Sequence, residues 1–348
     1  MRSFSNEVKQ MSTDTVSLCV IALNEAEYLP RLLDDFLAQT YPHEKTEIVL
    51  IDSGSRDGTA SLMDAFRRQH RAEFLDIQIG TNPRVIQAAG WNEAIALSTG
   101  DVIVRLDAHT RIPAGFTEKS MRAIQRGESV CGGLCVGICD EDNPWQKTLL
   151  LAENSLFGSS VRASRRSTQK QYVKTVSHSA YRREVFEAAG PFNETLLRTE
   201  DNEMHYRIRK AGYRILFDPE IVTRHHARST LPKMIRQKYG NGFWIGYTLP
   251  VCPGCVSLYH LVPFFFVLAV VCTAVSALAG FPYPAYLLWI AYALFCMLFS
   301  LPGIREIGLW SLLLPGIFLL MHASYGAGTA RGLLKRMREA ILQKRRAQ

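Results

Sequence analysis

The chain has 348 residues, 40 basic and 32 acidic, with a formal net charge of +8 and a mean hydropathy of zero. That length exceeds one typical domain, and an average near zero across 47% hydrophobic residues conceals two kinds of solvent preference. The basic excess does not point to nucleic acid. Residues 331–348 (RGLLKRMREAILQKRRAQ) carry seven basic residues against one acid and so hold +6 of the +8, whereas a nucleic-acid surface would lie on the folded domain.

Residues 1–14 form a polar N-terminal tail without the apolar centre of a signal peptide. The domain that follows is therefore expected to stay in the cytoplasm, with its eight cysteines reduced. The domain is expected to span residues 15–250, and along residues 15–230 short β-branched runs alternate with amphipathic segments. Strands are expected at Val16 to Ala22, Glu47 to Ile51, Phe74 to Ile79, Asp101 to Leu106 and Val130 to Ile138. Helices are expected at Leu29 to Ala38, Thr59 to His70, Ile86 to Leu97 and Pro113 to Gln125, with Pro30 and Pro113 near helix starts. This alternation implies an α/β domain, a mostly parallel sheet with helices on both faces, which binds ligands beyond the carboxyl ends of its strands.

Those strand ends carry Asn24-Glu25, the loop Asp52-Ser-Gly-Ser-Arg-Asp-Gly-Thr59, and Asp107-Ala108-His109. Three carboxylates, Glu25, Asp52 and Asp107, thus meet in one crevice. Helix capping accounts for Ser55 and Asp57, and serves as an alternative for Glu25. It does not account for Asp52 and Asp107, which directly follow apolar residues. Thr199-Glu200-Asp201-Asn202-Glu203 places three acids in a first helical turn, where the positive end of the dipole favours them, yet capping explains only one.

Other stretches leave alternatives open. Arg162 to Lys174 reads as a solvated basic loop or as a lid over diphosphates. His225-His226 closes a strand, as packed or surface histidines or as a further metal ligand. Cys131, Cys135 and Cys139 are four apart, a packing face. Cys252-Pro-Gly-Cys255 has zinc or redox spacing but no second such pair.

Val256 to Gly280 contains no Asp, Glu, Lys or Arg. At about 1.5 Å per helical residue it exceeds the roughly 30 Å hydrocarbon core of a bilayer. Two more apolar runs follow, Ala285 to Gly303 and Ile307 to Ala330. Residues 256–330 are thus expected to form a membrane region of about three or four apolar segments, and residues 331–348 a basic cytoplasmic tail. If domain and tail share one side, the number of crossings is even. Either one run is interfacial or re-entrant, or Phe243 to Leu258 contributes.

Three stretches resemble, in order and spacing, successive segments of the family 2 glycosyltransferases of GT-A fold. They are CVIALNEAEYLPRLLDDFLAQTYPHEKTEIVLIDSGSRDGTASLM, NPRVIQAAGWNEAIALSTGDVIVRLDAHTRIP and SHSAYRREVFEAAGPFNETLLRTEDNEMHYRIRKAGYRI, together covering about residues 15–225. The resemblance implies a nucleotide-diphospho-sugar donor, with Asn24, Glu25 and Asp52 at its base and ribose. Arg84 would approach the pyrophosphate or hold Asp107, itself a donor-binding residue. The family pattern Asp-x-Asp binds a divalent cation, Mn2+ or Mg2+. Here it reads Asp107-Ala-His109, an oxygen and a nitrogen ligand, and imidazole is acceptable to manganese. The same Asp-Ala-His form occurs in the subgroup resembling succinoglycan-type exopolysaccharide glucosyltransferases. Asp201 matches the family's catalytic base, and Glu200 would orient it or bind the acceptor.

The expected activity is inverting, metal-dependent transfer of a sugar, glucose from UDP-glucose first among donors, to a polyprenyl-diphosphate-linked glycan. The expected setting is the plasma membrane, multi-pass, with a cytoplasmic catalytic domain. One alternative is a processive polysaccharide synthase, although such enzymes carry Gln-x-x-Arg-Trp where RQKYGNGFW here keeps Trp244 without the arginine. Others are a simple lipid-linked sugar transferase and a non-catalytic, membrane-tethered nucleotide-sugar-binding subunit, against which Asp201 argues.

Overall fold

The computed structural model describes residues 14–139, 143–158 and 167–346. Most of the polar N-terminal tail and Arg162, Arg165 and Arg166 of the basic stretch lie outside the described residues. The first half runs β1 (Val16–Ala22), α1 (Leu29–Leu37), β2 (Thr46–Asp52), α2 (Thr59–His70), β3 (Asp76–Thr81), α3 (Gln87–Leu97) and β4 (Val102–Asp107). There follow β5 (Thr110–Arg111), α4 (Phe116–Gln125), β6 (Val130–Ile138), α5 (Pro144–Asn154), β7 (Gln171–Tyr172) and β8 (Ala180–Arg182). Then come α6 (Arg183–Ala189), α7 (Glu200–Lys210), β9 (Leu216–His226) and α8 (Leu231–Thr248). The chain closes with α9 (Val262–Leu278), α10 (Tyr283–Ile307) and α11 (Leu314–Arg346).

The strands form one sheet in the order β3-β2-β1-β4-β8-β6-β9-β5, with β7 paired to β9. β3, β2, β1 and β4 are parallel, and every residue of β2 is buried because helices cover both faces. Register places the chemistry: Ala22 pairs with Asp52 and Ile21 with Asp107, so two carboxylates flank the end of β1. In the other half the long strands β6 and β9 pair parallel, and the short strands β5, β7 and β8 add antiparallel to β9, β6 and β4. Between β6 and β9 the parallel register slips at Gly133. A Cβ there would lie 2.0 Å from the Ile221 carbonyl oxygen, so only glycine admits the bulge that sets Thr223 and His225 beside β6.

Beyond the sheet, α8 and α11 lie side by side in the same direction. Gly242 and Gly246 on α8 and Gly328 and Gly332 on α11 form their seam. A Cβ on each would fall 2.0, 2.1, 2.2 and 1.9 Å from a carbonyl oxygen of the other helix, so the backbones touch. Small residues four apart permit this close approach.

Two helical stretches, Leu258–Leu278 and Tyr283–Gln343, are long and apolar enough to cross a membrane. α9 buries no residue, and exposes Phe265, Leu268, Val271 and Val275. The third apolar run behaves differently. Leu314, Ile317, Phe318 and Met321 at the start of α11 are buried in one cluster with Leu149 and Ala152 of α5, Met234 of α8 and Cys296 and Ile307 of α10. The helix continues unbroken into the basic tail. There Leu334, Met337 and Ile341 are exposed among exposed Arg331, Lys335 and Arg338.

The expectation of eight reduced cysteines fails at one pair. Cys252 and Cys255 form a disulfide, their Cα atoms 5.4 Å apart. The 3-10 turn Pro253–Cys255 brings them within bonding reach, a local geometry on which the compartment argument is silent.

Candidate active site

The crevice at the carboxyl ends of β1, β2 and β4 is built by interlaced loops. Asn24 adopts a left-handed conformation (φ 56°), which asparagine tolerates. Its N–H donates to Ser55 Oγ (2.9 Å) and its Oδ1 accepts from the Arg56 N–H (2.8 Å). The Glu25 N–H donates to Thr59 Oγ1 (2.9 Å), and the Ala26 N–H to Asp57 Oδ2 (3.0 Å). Ser55 and Asp57, expected as helix caps, thus join the two loops, while Gly58 occupies the cap position of α2. Hydrogen bonds from Thr59 and then Ala26 hold Asp57 below the usual carboxylate range. Buried Asp52 accepts the N–H groups of Gly54 (3.1 Å) and Ser55 (3.2 Å), which curl the loop around it.

Arg84 does not hold Asp107. Its guanidinium pairs with Glu194 and with Glu93 (3.2 Å), fastening the turn at left-handed Val85 to the segment after α6. Two competing carboxylates, Glu93 and Glu194, were not visible from the sequence.

Asp107 and His109 sit at the end of β4, each about a third exposed at the side chain. His109 Nδ1 lies 3.1 Å from Glu25 Oε1, joining two expected site residues, and Asp107 Oδ2 lies 3.2 Å from His178 Nε2. His178 is buried and left-handed (φ 49°), and also contacts Thr110 Oγ1 and Thr223 Oγ1, each at 3.0 Å. Cys135 Sγ stands 4.0 Å from His178 Nδ1 and 3.4 Å from His225 Nδ1. Burial works against charge on His178, but Asp107 and Cys135 outweigh it and lift the imidazole to about 10. Burial likewise works against charge on Asp107, yet His178, His109 and Arg105 hold its carboxyl well below the usual range. Sequence reasoning missed His178. Its only signal was a histidine between two serines just ahead of an apolar strand.

Among the described residues, no group of three or more His, Cys, Asp and Glu side chains is arranged to hold a metal ion. The donor set Asp107 and His109 fits a divalent cation as two protein ligands, one oxygen and one nitrogen, with substrate phosphates supplying further oxygens. Of the histidine pair on β9, His225 faces Cys135, and the His226 ring lies 5.9 Å from that of Tyr28.

Across the crevice, left-handed Thr199 (φ 68°) starts α7 so that Glu200 is buried and Asp201 partly exposed. Glu203 binds Arg207 at 2.7 and 2.9 Å, a structural pair. Glu200 faces Arg105, whose Nη2 is 3.8 Å away. That guanidinium is buried, 4.3 Å from the Trp91 ring centroid and 4.7 Å from that of Phe192. Burial, then the charge of Asp201, pushes Glu200 up to about 8, with Arg105 opposing. Arg105 is the second residue the sequence reading missed. A lone arginine inside the apolar run Val102-Ile-Val-Arg-Leu106 was the available signal.

A cavity of about 470 Å³ starts at Glu200, Asp201 and Asn202 and reaches α8, α9 and α11. Polar side chains of its wall include Arg198, Gln237 and Asn241, with the buried pair Glu153 and Lys238, and apolar ones include Phe157, Trp244, Val262, Pro263 and Met321.

Comparison with known proteins agrees with this geometry. Residues 17–190 match the Glycosyl transferase family 2 profile. Over 237 residues the chain is 32% identical to succinoglycan biosynthesis protein ExoA of Rhizobium meliloti (strain 1021), covering 66% of this chain and 69% of that one. It is 24% identical over 275 residues to a dolichyl N-acetyl-alpha-D-glucosaminyl phosphate 3-beta-D-2,3-diacetamido-2,3-dideoxy-beta-D-glucuronosyltransferase of Methanococcus voltae, covering 77% and 84%. In structure it resembles the mannosyltransferase PcManGT of Pyrobaculum calidifontis, solved with GDP-Man and Mn2+, with a TM-score of 0.62, 21% identity and 93% and 88% coverage. A family profile across half of the chain and a relative matched over two thirds of both lengths thus meet a GT-A sheet with its carboxylates at the strand ends: the chain belongs to glycosyl transferase family 2 and is a glycosyltransferase.

Proposed function

We propose that this glycosyltransferase is inverting and metal-dependent, and that it moves a sugar, glucose from UDP-glucose first among donors, to a polyprenyl-diphosphate-linked glycan at the membrane surface. The observation that carries this reading is the cavity joining Asp201 to the first turn of α9, a helix with an apolar surface. Names of relatives support it: one is a succinoglycan biosynthesis protein, another a transferase named for a dolichyl phosphate-linked sugar, and the structural neighbour holds GDP-Man and Mn2+.

In this reading Asn24, Glu25 and Asp52 bind the base and ribose, and Asp107 with His109 holds Mn2+ or Mg2+. The bound cation offsets negative charge on the departing diphosphate. Asp201 takes the proton of the acceptor hydroxyl as that oxygen attacks the anomeric carbon from the face opposite the nucleotide. Glu200, kept neutral by burial, orients the acceptor, and Arg105 fixes Glu200 from behind. α9 and α10 cross the bilayer as a pair, and α11 returns to the domain side and lies along the interface. Both termini then share the cytoplasmic side of the plasma membrane.

The test uses membranes carrying the full chain, several labelled nucleotide sugars and a lipid extract. Label should enter the lipid fraction with UDP-glucose in preference, and chelation should abolish transfer. Failure of every nucleotide sugar with either cation would overturn the reading.

A further inference from the structure

Arg198 lines the cavity, immediately before Thr199 and the acid pair. It donates from Nη1 to Asn241 Oδ1 on α8 at 3.0 Å, and among the described residues it forms no ion pair. The other cation of the cavity wall is matched: Lys238 lies 3.0 Å from Glu153, both buried. Desolvation, then the charge of Arg228, pushes the Arg198 guanidinium below its ordinary range, with Glu200 opposing. Gln237 and Asn241, one turn apart on α8, line the same cavity and carry amide N–H donors.

The Arg198 guanidinium lines the cavity from an exposed position and has no ion-pair partner among the described residues, so it is open to an anion, and its planar fork matches phosphate oxygens. The same cavity is lined by Phe157, Met321 and by Val262 and Pro263, where α9 begins. An anion joined to a hydrocarbon chain suits a wall that offers both kinds of surface. We propose that Arg198, with Asn241 and Gln237, binds the phosphate of a prenyl-phosphate-bearing acceptor, so that the acceptor is selected by its phosphate as well as by its sugar. This inference rests on the reading of a lipid-linked acceptor given above.

The test is direct binding of farnesyl diphosphate to the detergent-solubilised full chain, beside UDP binding and steady-state transfer. Wild type should bind farnesyl diphosphate at least tenfold more tightly than farnesol. Arg198→Ala should weaken farnesyl diphosphate at least tenfold, Arg198→Lys less, and both should keep UDP affinity within twofold. In transfer, Arg198→Ala should raise KM for a phosphate-bearing acceptor with a much smaller change in kcat. Asn241→Ala should weaken farnesyl diphosphate in the same direction, a second variant should Arg198→Ala fold poorly. Equal binding by wild type and Arg198→Ala overturns the proposal. So does displacement of farnesyl diphosphate by UDP, or a matching loss of UDP affinity, either of which assigns Arg198 to the donor. Because binding is read without turnover, absence of sugar transfer by wild type would refute the proposed function and leave the phosphate result legible.

Discussion

Glu200 and Asp201 are neighbours in sequence but not in environment, and replacing each with its amide should separate them. With Glu200 lifted to about 8, roughly one molecule in ten carries it ionised at pH 7. Glutamine therefore copies the prevailing neutral form, and Glu200→Gln should lower single-turnover transfer by less than about tenfold at pH 7. Asp201→Asn removes the proposed proton acceptor and should cost about 10²-fold or more. Stability gives an independent readout. Glu200 has a folded-state value of about 8 against an ordinary 4.5, so its contribution is fully present below 4.5 and is lost as pH rises through 8. At about 1.4 kcal/mol per unit, this amounts to a few kcal/mol across the window. Thermal melts from pH 5 to 9 should show that slope in wild type and a flatter one in Glu200→Gln. Near-normal transfer by Asp201→Asn would refute the assignment of the base. An unchanged slope in Glu200→Gln would refute the account of the buried carboxyl.

His109→Ala should lower transfer strongly, whereas His109→Asp should keep much of it and shift preference from Mn2+ toward Mg2+; equal damage with an unchanged metal response would remove His109 from the cation site. At Gly246 a Cβ would lie 2.1 Å from the Thr329 carbonyl oxygen, where about 3.3 Å is the close limit for such contacts. Gly246→Leu should therefore part α8 from α11 and cost about 1–3 kcal/mol or more in detergent unfolding. Gly240→Ala is the control, because its Cβ meets only Arg198 Nη1 at 3.8 Å. Reporters at Met1 and after Gln348 should lie on the same side of the membrane, and opposite sides would mean an odd number of crossings.

The parallel half of the sheet was readable because β1, β2 and β4 are largely apolar runs and α1 and α2 each carry one apolar face. The strand at Val16–Ala22 and the helix at Thr59–His70 begin and end where the pattern places them, as does the strand Val130–Ile138 in the other half. Helix α4 starts at Phe116 rather than Pro113, since Pro113 to Gly115 form the turn before it. The two-residue strands β5 and β7 have too few residues to show a period, and they form only by pairing with β9. Glu25 and His109 were both expected at the site, and the structure brings them together. Arg84 is diverted by Glu93 and Glu194, over 100 residues away in the second case, a pairing that no local pattern encodes. The partners of Asp107 and Glu200, namely His178 and Arg105, were hidden for the same reason: each becomes meaningful only when strands distant in sequence close around it.

The glycine seam between α8 and α11 also determines how this protein divides into parts. A chain cut after Thr248 keeps every residue of the nucleotide-sugar crevice but leaves Gly242 and Gly246 without the carbonyls they admit. A hybrid that borrows its hydrophobic segment from a relative would place foreign side chains against that groove and shift Asn241 and Trp244, which line the cavity on the same helix. Residues 231–346 therefore move together, and α5, whose Leu149, Ala152 and Glu153 pack against α8 and α11, has to match them. Shuffling experiments that join donor specificity from one transferase to acceptor preference from another should place the junction ahead of α8, between His226 and Leu231, and not at the edge of the apolar region.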